Sequence, residues 1–333
     1  MAENAQRTRP ASPGKRSSRR IGYAASGLRM QRSDYFWCYL FILPFVVFFL
    51  AFTIWPLVGT IMFSFYDYDG IKPPSRETFV GLENYLYLFR DKAKIFPRAL
   101  ANTFYFALVN SIIKHPLTFT MAFLLTRKWL KGRMVFRTAF FLTYLVPQSI
   151  VGMVFNFILH PASGPLNTLL LDLGLLERPI NFYGSRWLGM NSMVAISVWH
   201  IFAQYLLWWM VALQNIPEEL YEAAQIDGAN AWQQLWYITL PMIRPLAIIF
   251  VFLGFTNATH QLDLVLNTTA GGPRQSTYTV DFYVWNRAFQ SSPPRFGLAS
   301  AIALLFGLIT LTLVTTQGYF VRRAQQTRTD YGI

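Results

Sequence analysis

Residues 36–66 read FWCYLFILPFVVFFLAFTIWPLVGTIMFSFY, a run of 31 residues without a single Asp, Glu, Lys or Arg. About 20 apolar residues in a helix suffice to cross the hydrocarbon core of a bilayer. Four further runs also lack these charged residues, at 138–160, 192–216, 246–262 and 298–321. Runs of this length and apolar character predict an all-α integral membrane protein that crosses the bilayer several times.

The composition of the 333-residue chain excludes an ordinary soluble enzyme. Hydrophobic residues make up 53% of the chain and charged residues only 14%, whereas soluble domains carry roughly a quarter charged residues. The net charge is +13, but the basic residues cluster at the ends of the apolar runs. Because cytoplasmic loops of membrane proteins retain Lys and Arg, we attribute this excess to membrane topology and predict the lipid bilayer, and no nucleic acid, as a partner.

The apolar pattern predicts six spans, and the basic residues orient them. The loop at 127–137 holds five Lys or Arg and no acid, and the segment 1–33 holds eight and one acid. Both are therefore expected in the cytoplasm, and an even number of spans places the C-terminus there too. We divide the chain into a disordered basic tail at 1–33, a transmembrane domain at 34–323 and a cytoplasmic tail at 324–333. The predicted spans are about 36–66, 102–126, 138–160, 192–216, 242–267 and 298–321.

The segment 217–241, between the fourth and fifth spans, breaks the positive-inside pattern because it contains four acids and no base. Its residues predict a helix–turn–helix: Pro217 suits a first helical position, Gly228 permits a turn, and Pro241 is expected to end the second helix. A helix pair outside the bilayer is suited to bind another protein. The residues alone leave open a second possibility, a connector that packs against its own spans.

A motif within this segment resembles a known family. Residues 222–229 read EAAQIDGA and are followed by ITLP at 238–241 and by Pro245. This pattern is similar to the EAA signature of bacterial ATP-binding-cassette importer permeases. Further similarities, FVGLENY at 79–85 and TAGGP at 269–273, resemble the branch that imports maltose-type oligosaccharides and glycerol phosphate esters, in its six-span form.

The resemblance implies a set of partners and a location. Such a permease lies in the bacterial inner membrane and forms half of the translocation path together with a second homologous permease. Two ATPase subunits, which bind ATP and Mg, dock on the cytoplasmic face, and an extracytoplasmic solute-binding protein delivers the carbohydrate. The family's coupling residues fall here on Glu222, Ala223, Ala224, Asp227 and Gly228.

Polar side chains within the spans are the candidates for contact with substrate, because such residues usually face the interior of a helix bundle. The fifth span holds Asn257, His260, Gln261 and Asp263, and the resemblance implies that this span lines the path. Lys114 lies in the middle of the second span. Hydrogen bonding between helices is the alternative role for each of these residues taken singly.

The motifs of enzymes are missing from the chain. There is no GxxxxGK[ST] phosphate loop, no HExxH pair, no GxSxG elbow and no set of residues with metal-ligand spacing. We therefore predict no enzymatic activity, no metal site and no cofactor of its own. The alternative function is an ion- or proton-coupled secondary carrier, which often has carboxylates near the bilayer midplane and internal repeats; neither is evident in this sequence.

Overall fold

The computed structural model of the chain describes residues 32–126 and 130–330. Most of the predicted tail at 1–33, and the last three residues of the predicted tail at 324–333, lie outside the described residues. Within the described ranges, all regular secondary structure is helical apart from one isolated bridge between Tyr66 and Phe79. This confirms the predicted all-α class.

The chain divides between Trp55 and Pro56 into two structural units. In the first unit, helix α1 (Arg32–Phe49) is followed by a π-helical turn, Leu50–Ile54. None of the residues described from Tyr35 to Trp55 is buried, although almost all are apolar. A helix that is apolar on all sides needs lipid or another protein around it, so this unit has the surface of a membrane helix.

The second unit holds the remaining helices, the first of which begins at the unit boundary. They are α2 (Trp55–Phe63), α3 (Glu83–Arg90), α4 (Ile95–Thr126), α5 (Arg133–Tyr144), α6 (Gln148–Ile158), α7 (Pro165–Asp172), α8 (Arg186–Gln214), α9 (Glu218–Ile226), α10 (Ala231–Gln234), α11 (Leu240–Ala258), α12 (Leu262–Asn267), α13 (Val280–Trp285) and α14 (Phe296–Asp330). Two π-helical turns, Leu235–Thr239 and Asn286–Gln290, follow α10 and α13 without a break.

Five helical runs of the described chain are long and apolar enough to span a membrane: Tyr35–Phe63, Ile95–Thr126, Arg186–Gln214, Ala231–Ala258 and Phe296–Tyr319. The predicted third span at 138–160 is not a single helix, because α5 and α6 meet at an angle of 92°. Pro147 lies at this break, and the residue before a proline disfavours the helical conformation. The count is therefore five spans, or six if the bent pair crosses as one.

Helices α4 and α8 form the centre of the second unit. Near one end, Phe106 and Ala107 of α4 belong to the same cluster of buried side chains as Met193 and Val194 of α8. Near the other end, a second cluster joins the same two helices to α11. Several of the buried contact residues are alanines, and small side chains allow membrane helices to approach closely. This packing fixes the interior face of α4, on which Lys114 lies.

Candidate functional site

The segment 217–241 forms the predicted helix–turn–helix. The turn between α9 and α10 depends on Gly228, whose φ of +80° is one that L-residues rarely adopt. A capping box then starts α10: Asn230 accepts a hydrogen bond from the backbone N–H of Gln233 (2.9 Å), and the Gln233 side chain accepts one from the N–H of Asn230 (2.8 Å). Local chemistry therefore sets the angle between the two helices.

Two details of this segment differ from the prediction. Pro217 is the N-cap residue, and the helix begins one residue later at Glu218. Pro241 does not end the second helix, since a continuous helical run extends from Ala231 to Ala258. The π-helical turn Leu235–Thr239 directly precedes the proline, which lacks the N–H that a regular α-helical turn would use there.

The motif residues of the helix pair are accessible. Glu222, Ala223, Asp227 and Gly228 are exposed, and Ala224 is half-buried. A Cβ atom added to Gly228 would meet nothing within 4 Å, so the tip of the turn faces open space. Beside it, the Ile226 side chain is 87% exposed. An acidic, partly apolar tip with small side chains offers a surface that another protein can approach closely.

Lys114 lies fully buried between α4, α8 and α11. Its ammonium group donates a hydrogen bond to the carbonyl oxygen of Gly254 (3.2 Å) and sits 3.9 Å from the centre of the Tyr205 ring. No carboxylate of the described residues lies within ion-pairing distance of it. A carbonyl oxygen and an aromatic face thus contact this amino group, and the remaining N–H donors of Lys114 stay available.

Other polar atoms near Lys114 also lack partners within the described chain. These buried atoms are both ring nitrogens of His115, Oδ1 of Asn110, Oγ of Ser111 and Nε1 of Trp209. Asn257 contributes a weak contact from α11, since its Nδ2 lies 3.5 Å from the Tyr205 hydroxyl. Buried polar groups are usually hydrogen-bonded, so this polar cluster has an unusual capacity to accept and donate further hydrogen bonds.

The remaining substrate candidates lie beyond the fifth span, which ends at Ala258 rather than near residue 267. His260 and Gln261 occupy the break between α11 and α12, and Asp263 is exposed in the first turn of α12. Gln261 accepts a hydrogen bond from Nε2 of Gln148 (2.9 Å). This contact joins the break at 259–261 to the break between α5 and α6.

His260 forms the second polar contact at this break. Its Nδ1 lies 3.1 Å from a carboxylate oxygen of Asp281 at the start of α13. The hydrogen bond to Asp281 holds the pKa of His260 above its ordinary value, although partial burial acts in the opposite direction. The two side chains therefore form a charge-assisted pair when His260 is protonated.

The five substrate candidates thus fall into separate places. Lys114 and Asn257 meet at Tyr205, His260 and Gln261 share the helix break, and Asp263 contacts neither group through its carboxylate in the described residues. Tyr205, Gly254 and Asp281, which also belong to these sites, were not predicted from the sequence. Tyr205 and Gly254 lie within uncharged runs and belong to no motif. Asp281 is an acidic residue, but no motif lies near it in the sequence.

The sequence family described as "Binding-protein-dependent transport system inner membrane component" matches residues 115–326, which is more than half of the chain. The chain belongs to this family. It is therefore the membrane component of a transport system and not an enzyme, and the importer-permease resemblance is confirmed. The alternative of a self-sufficient secondary carrier receives no support from the family.

Individual relatives agree with this assignment. The probable ABC transporter permease protein YurN of Bacillus subtilis is 31% identical over 86% of this chain and 97% of its own. The arabinooligosaccharides transport system permease protein AraP of Halalkalibacterium halodurans is 32% identical over 84% of this chain and 86% of its own. A crystal structure of a bacterial alginate ABC transporter, in complex with an alginate pentasaccharide-bound periplasmic protein, shares the fold, with a TM-score of 0.74 and 22% identity over 87% of this chain and 96% of the other.

Proposed function

We propose that the chain is the permease subunit of an ATP-driven importer and forms half of the translocation path for a sugar, an oligosaccharide or a related polyol derivative. Curated relatives named for arabinooligosaccharides, lactose and diacetylchitobiose support this substrate class. The proposed assembly contains a second homologous permease, two ATPase subunits that bind ATP and Mg, and an extracytoplasmic solute-binding protein. Both termini lie in the cytoplasm in this proposal.

The observation that carries the ATP-driven part is the exposed helix pair α9–α10. Glu222, Ala223, Ala224, Asp227 and Gly228 are the proposed coupling residues. Small side chains allow a partner's backbone to approach, and the two carboxylates can pair with basic residues of a docking groove. Because α10 continues without interruption into the fifth span, movement of a docked ATPase would act directly on the membrane helices.

The Gly228 turn gives a sharp test of this role. Gly228→Val introduces a bulky side chain where the chain itself leaves open space, so only a docking partner would clash with it. The matched control is Gly174→Val, since Gly174 also has positive φ (+68°) and open space around it but lies outside the helix pair. Both variants carry a similar backbone strain of about 2 kcal/mol, because valine is β-branched and both positions have positive φ.

The measurement is substrate uptake and ATP hydrolysis by the assembled transporter in proteoliposomes that contain the binding protein. We expect Gly228→Val to lower the ratio of substrate uptake to ATP hydrolysis at least tenfold. Gly174→Val should transport at close to the parental rate. Equal uptake by the two variants, in complexes of equal subunit content, would show that α9–α10 is not the coupling element.

The proposed substrate contacts are Lys114, Asn257, His260, Gln261 and Asp263. The polar cluster around Lys114 supports this choice, since a hydroxyl-rich ligand needs many donors and acceptors and an aromatic face such as Tyr205 suits a sugar ring. An ammonium group without a carboxylate partner would also suit an acidic or phosphorylated carbohydrate.

Three substitutions test these contacts: Asn257→Ala, Gln261→Ala and Lys114→Met, the last of which keeps a long unbranched side chain at the buried position. Each is expected to weaken uptake several-fold while the amount of assembled complex stays unchanged. Asn191→Ala is the control, because Asn191 is an exposed amide of α8 whose side chain, within the described residues, bonds to Tyr105 alone. If all three variants have the same uptake kinetics as the control, these residues do not contact the substrate.

A further inference from the structure

A cleft of about 650 Å³ opens between α4, α8 and the helical run Ala231–Ala258. Its walls include Phe119 of α4, Trp209 of α8 and Ala247 of α11. The nitrogen atoms of His115 and Trp209, which also border the cleft, are buried away from its surface. The cleft therefore presents carbon atoms almost throughout and offers little to a hydroxyl-rich ligand.

The exception is Arg244, which lines the cleft and is exposed. It makes no hydrogen bond or ion pair within the described part of the chain, and it is the only Lys or Arg between residues 187 and 273. Trp236 also lines the cleft and is 53% exposed, with its ring against that of Trp232 (centroids 5.7 Å apart). Exposed tryptophans beside a basic residue are typical of the membrane–water interface, and the long Arg244 side chain can reach that interface from within the helical run.

We propose that this cleft, lined by Trp236, Arg244 and Ala247, binds an anionic phospholipid. One acyl chain occupies the apolar cleft, and the phosphate of the head group pairs with the Arg244 guanidinium, which can bind phosphate oxygens in a bidentate manner. Basic pockets between membrane helices on the cytoplasmic side are suited to acidic head groups. The site lies on the fifth span directly after α10, and its occupancy does not depend on which solute is transported.

A second cleft supplies an internal comparison. It has a volume of about 540 Å³, lies on the other side of the α4–α11 contact and shares His115, Pro116 and Val251 with the first. Its wall includes Ile112 and Leu313 but no Lys or Arg. Apolar surface alone would allow an acyl chain in either cleft, so preference for an acidic head group should belong to the Arg244 cleft.

The experiment is native mass spectrometry of the full-length chain, purified in detergent with the subunits that accompany it and titrated with phosphatidylglycerol or phosphatidylcholine. We expect Arg244→Gln to weaken phosphatidylglycerol binding about fivefold, the factor that one basic residue near an anionic membrane surface provides. Binding of phosphatidylcholine should not change. Arg178→Gln, which removes another exposed arginine not bordering the cleft, should bind both lipids as the parent does.

Two cleft-filling variants complete the test. Ala247→Phe should lower the binding of phosphatidylglycerol, whereas Ile112→Phe in the second cleft should leave its preference over phosphatidylcholine intact. The proposal is overturned if Arg244→Gln retains the parental phosphatidylglycerol affinity, or if it loses both lipids equally. It is also overturned if Ala247→Cys and Val251→Cys, each in a Cys38→Ser background, both cross-link to another protein subunit in lipid-replete membranes, since the cleft would then be a protein interface.

Discussion

Gly254 shows how tightly single residues determine the packing around Lys114. A Cβ atom at this position would overlap the His115 ring and lie 3.0 Å from the Lys114 ammonium nitrogen. Glycine is therefore required for α11 to approach α4 at this level. The same closeness brings the Gly254 carbonyl within reach of Lys114, so loss of this glycine would disturb both packing and the main hydrogen bond of a buried charge.

We expect Gly254→Ala to destabilise the folded protein by about 1–3 kcal/mol, the usual cost of overpacking. The measurement is thermal unfolding of the detergent-solubilised chain. Gly307→Ala is the matched control, because Gly307 lies within α14 and a Cβ there meets nothing within 4 Å. Alanine in a helix interior is favoured over glycine by up to about 1 kcal/mol, so the control should be neutral or stabilising. Equal thermal unfolding midpoints for the two variants would show that Gly254 is not closely packed against His115 and Lys114.

The His260–Asp281 pair predicts a pH dependence of stability. The pKa of His260 is raised in the folded protein by its hydrogen bond to Asp281. A raised pKa means that the pair's stabilisation is fully present below the unfolded-state pKa, near 6.5, and is lost as the pH rises through the folded-state value. The thermal midpoint should therefore fall between pH 6 and pH 8 by more in the parent than in His260→Gln or Asp281→Asn.

The control for this pH series is His160→Gln, which removes an exposed histidine whose ring contacts Ser163 rather than a carboxylate. It should keep the parental pH dependence. If Asp281→Asn has the same pH profile as the parent, the pair contributes nothing to stability in this range.

At the scale of elements, long apolar runs and turn residues predicted the long helices, and prolines account for two of the errors, at Pro147 and Pro241. The second, fourth and sixth spans lie where the apolar pattern places them, with helix ends extended by several residues. Pro147 breaks the predicted third span, whereas Pro116 and Pro241 lie within continuous helical runs. A proline removes one hydrogen bond, and only the surrounding packing decides whether the helix bends, widens to a π turn or ends.

For the substrate candidates too, the sequence revealed single residues but not their partners in the fold. Lys114 and Asn257 were predicted as candidates because polar residues within apolar segments are costly in a membrane and usually face the interior of the helix bundle. Their meeting at Tyr205 depends on the packing of α4, α8 and α11, which residues 52 and 91 positions apart in the chain do not reveal. Long-range partners such as Asp281 were missed for the same reason.

At the scale of the whole molecule, cysteine labelling distinguishes five spans from six. Cys38 is the only cysteine, so a Cys38→Ser background permits single cysteines at exposed positions. If the bent pair α5–α6 crosses the bilayer once, Lys131→Cys and Gln225→Cys should be protected from an impermeant maleimide in intact cells, and Arg178→Cys should react. All three residues are exposed in the structure.

The detergent-solubilised chain without its partner subunits provides the control, since all three cysteines should then react. Protection of Arg178→Cys in intact cells would indicate that the bent pair re-enters the same side, and it would leave five spans and termini on opposite faces. That outcome would also require a revised orientation for the helix pair α9–α10.

The unbroken helical run from Ala231 to Ala258 has a mechanical consequence. At about 1.5 Å per residue, its 28 residues form a rod roughly 40 Å long. A displacement at the Gly228 turn would be carried to Gly254, and with it to the Lys114 side chain, along a helix that contains a π turn and two prolines but no break. The first joint along this rod comes only at 259–261, so α12 and the loop beyond it can remain still while the rod tilts.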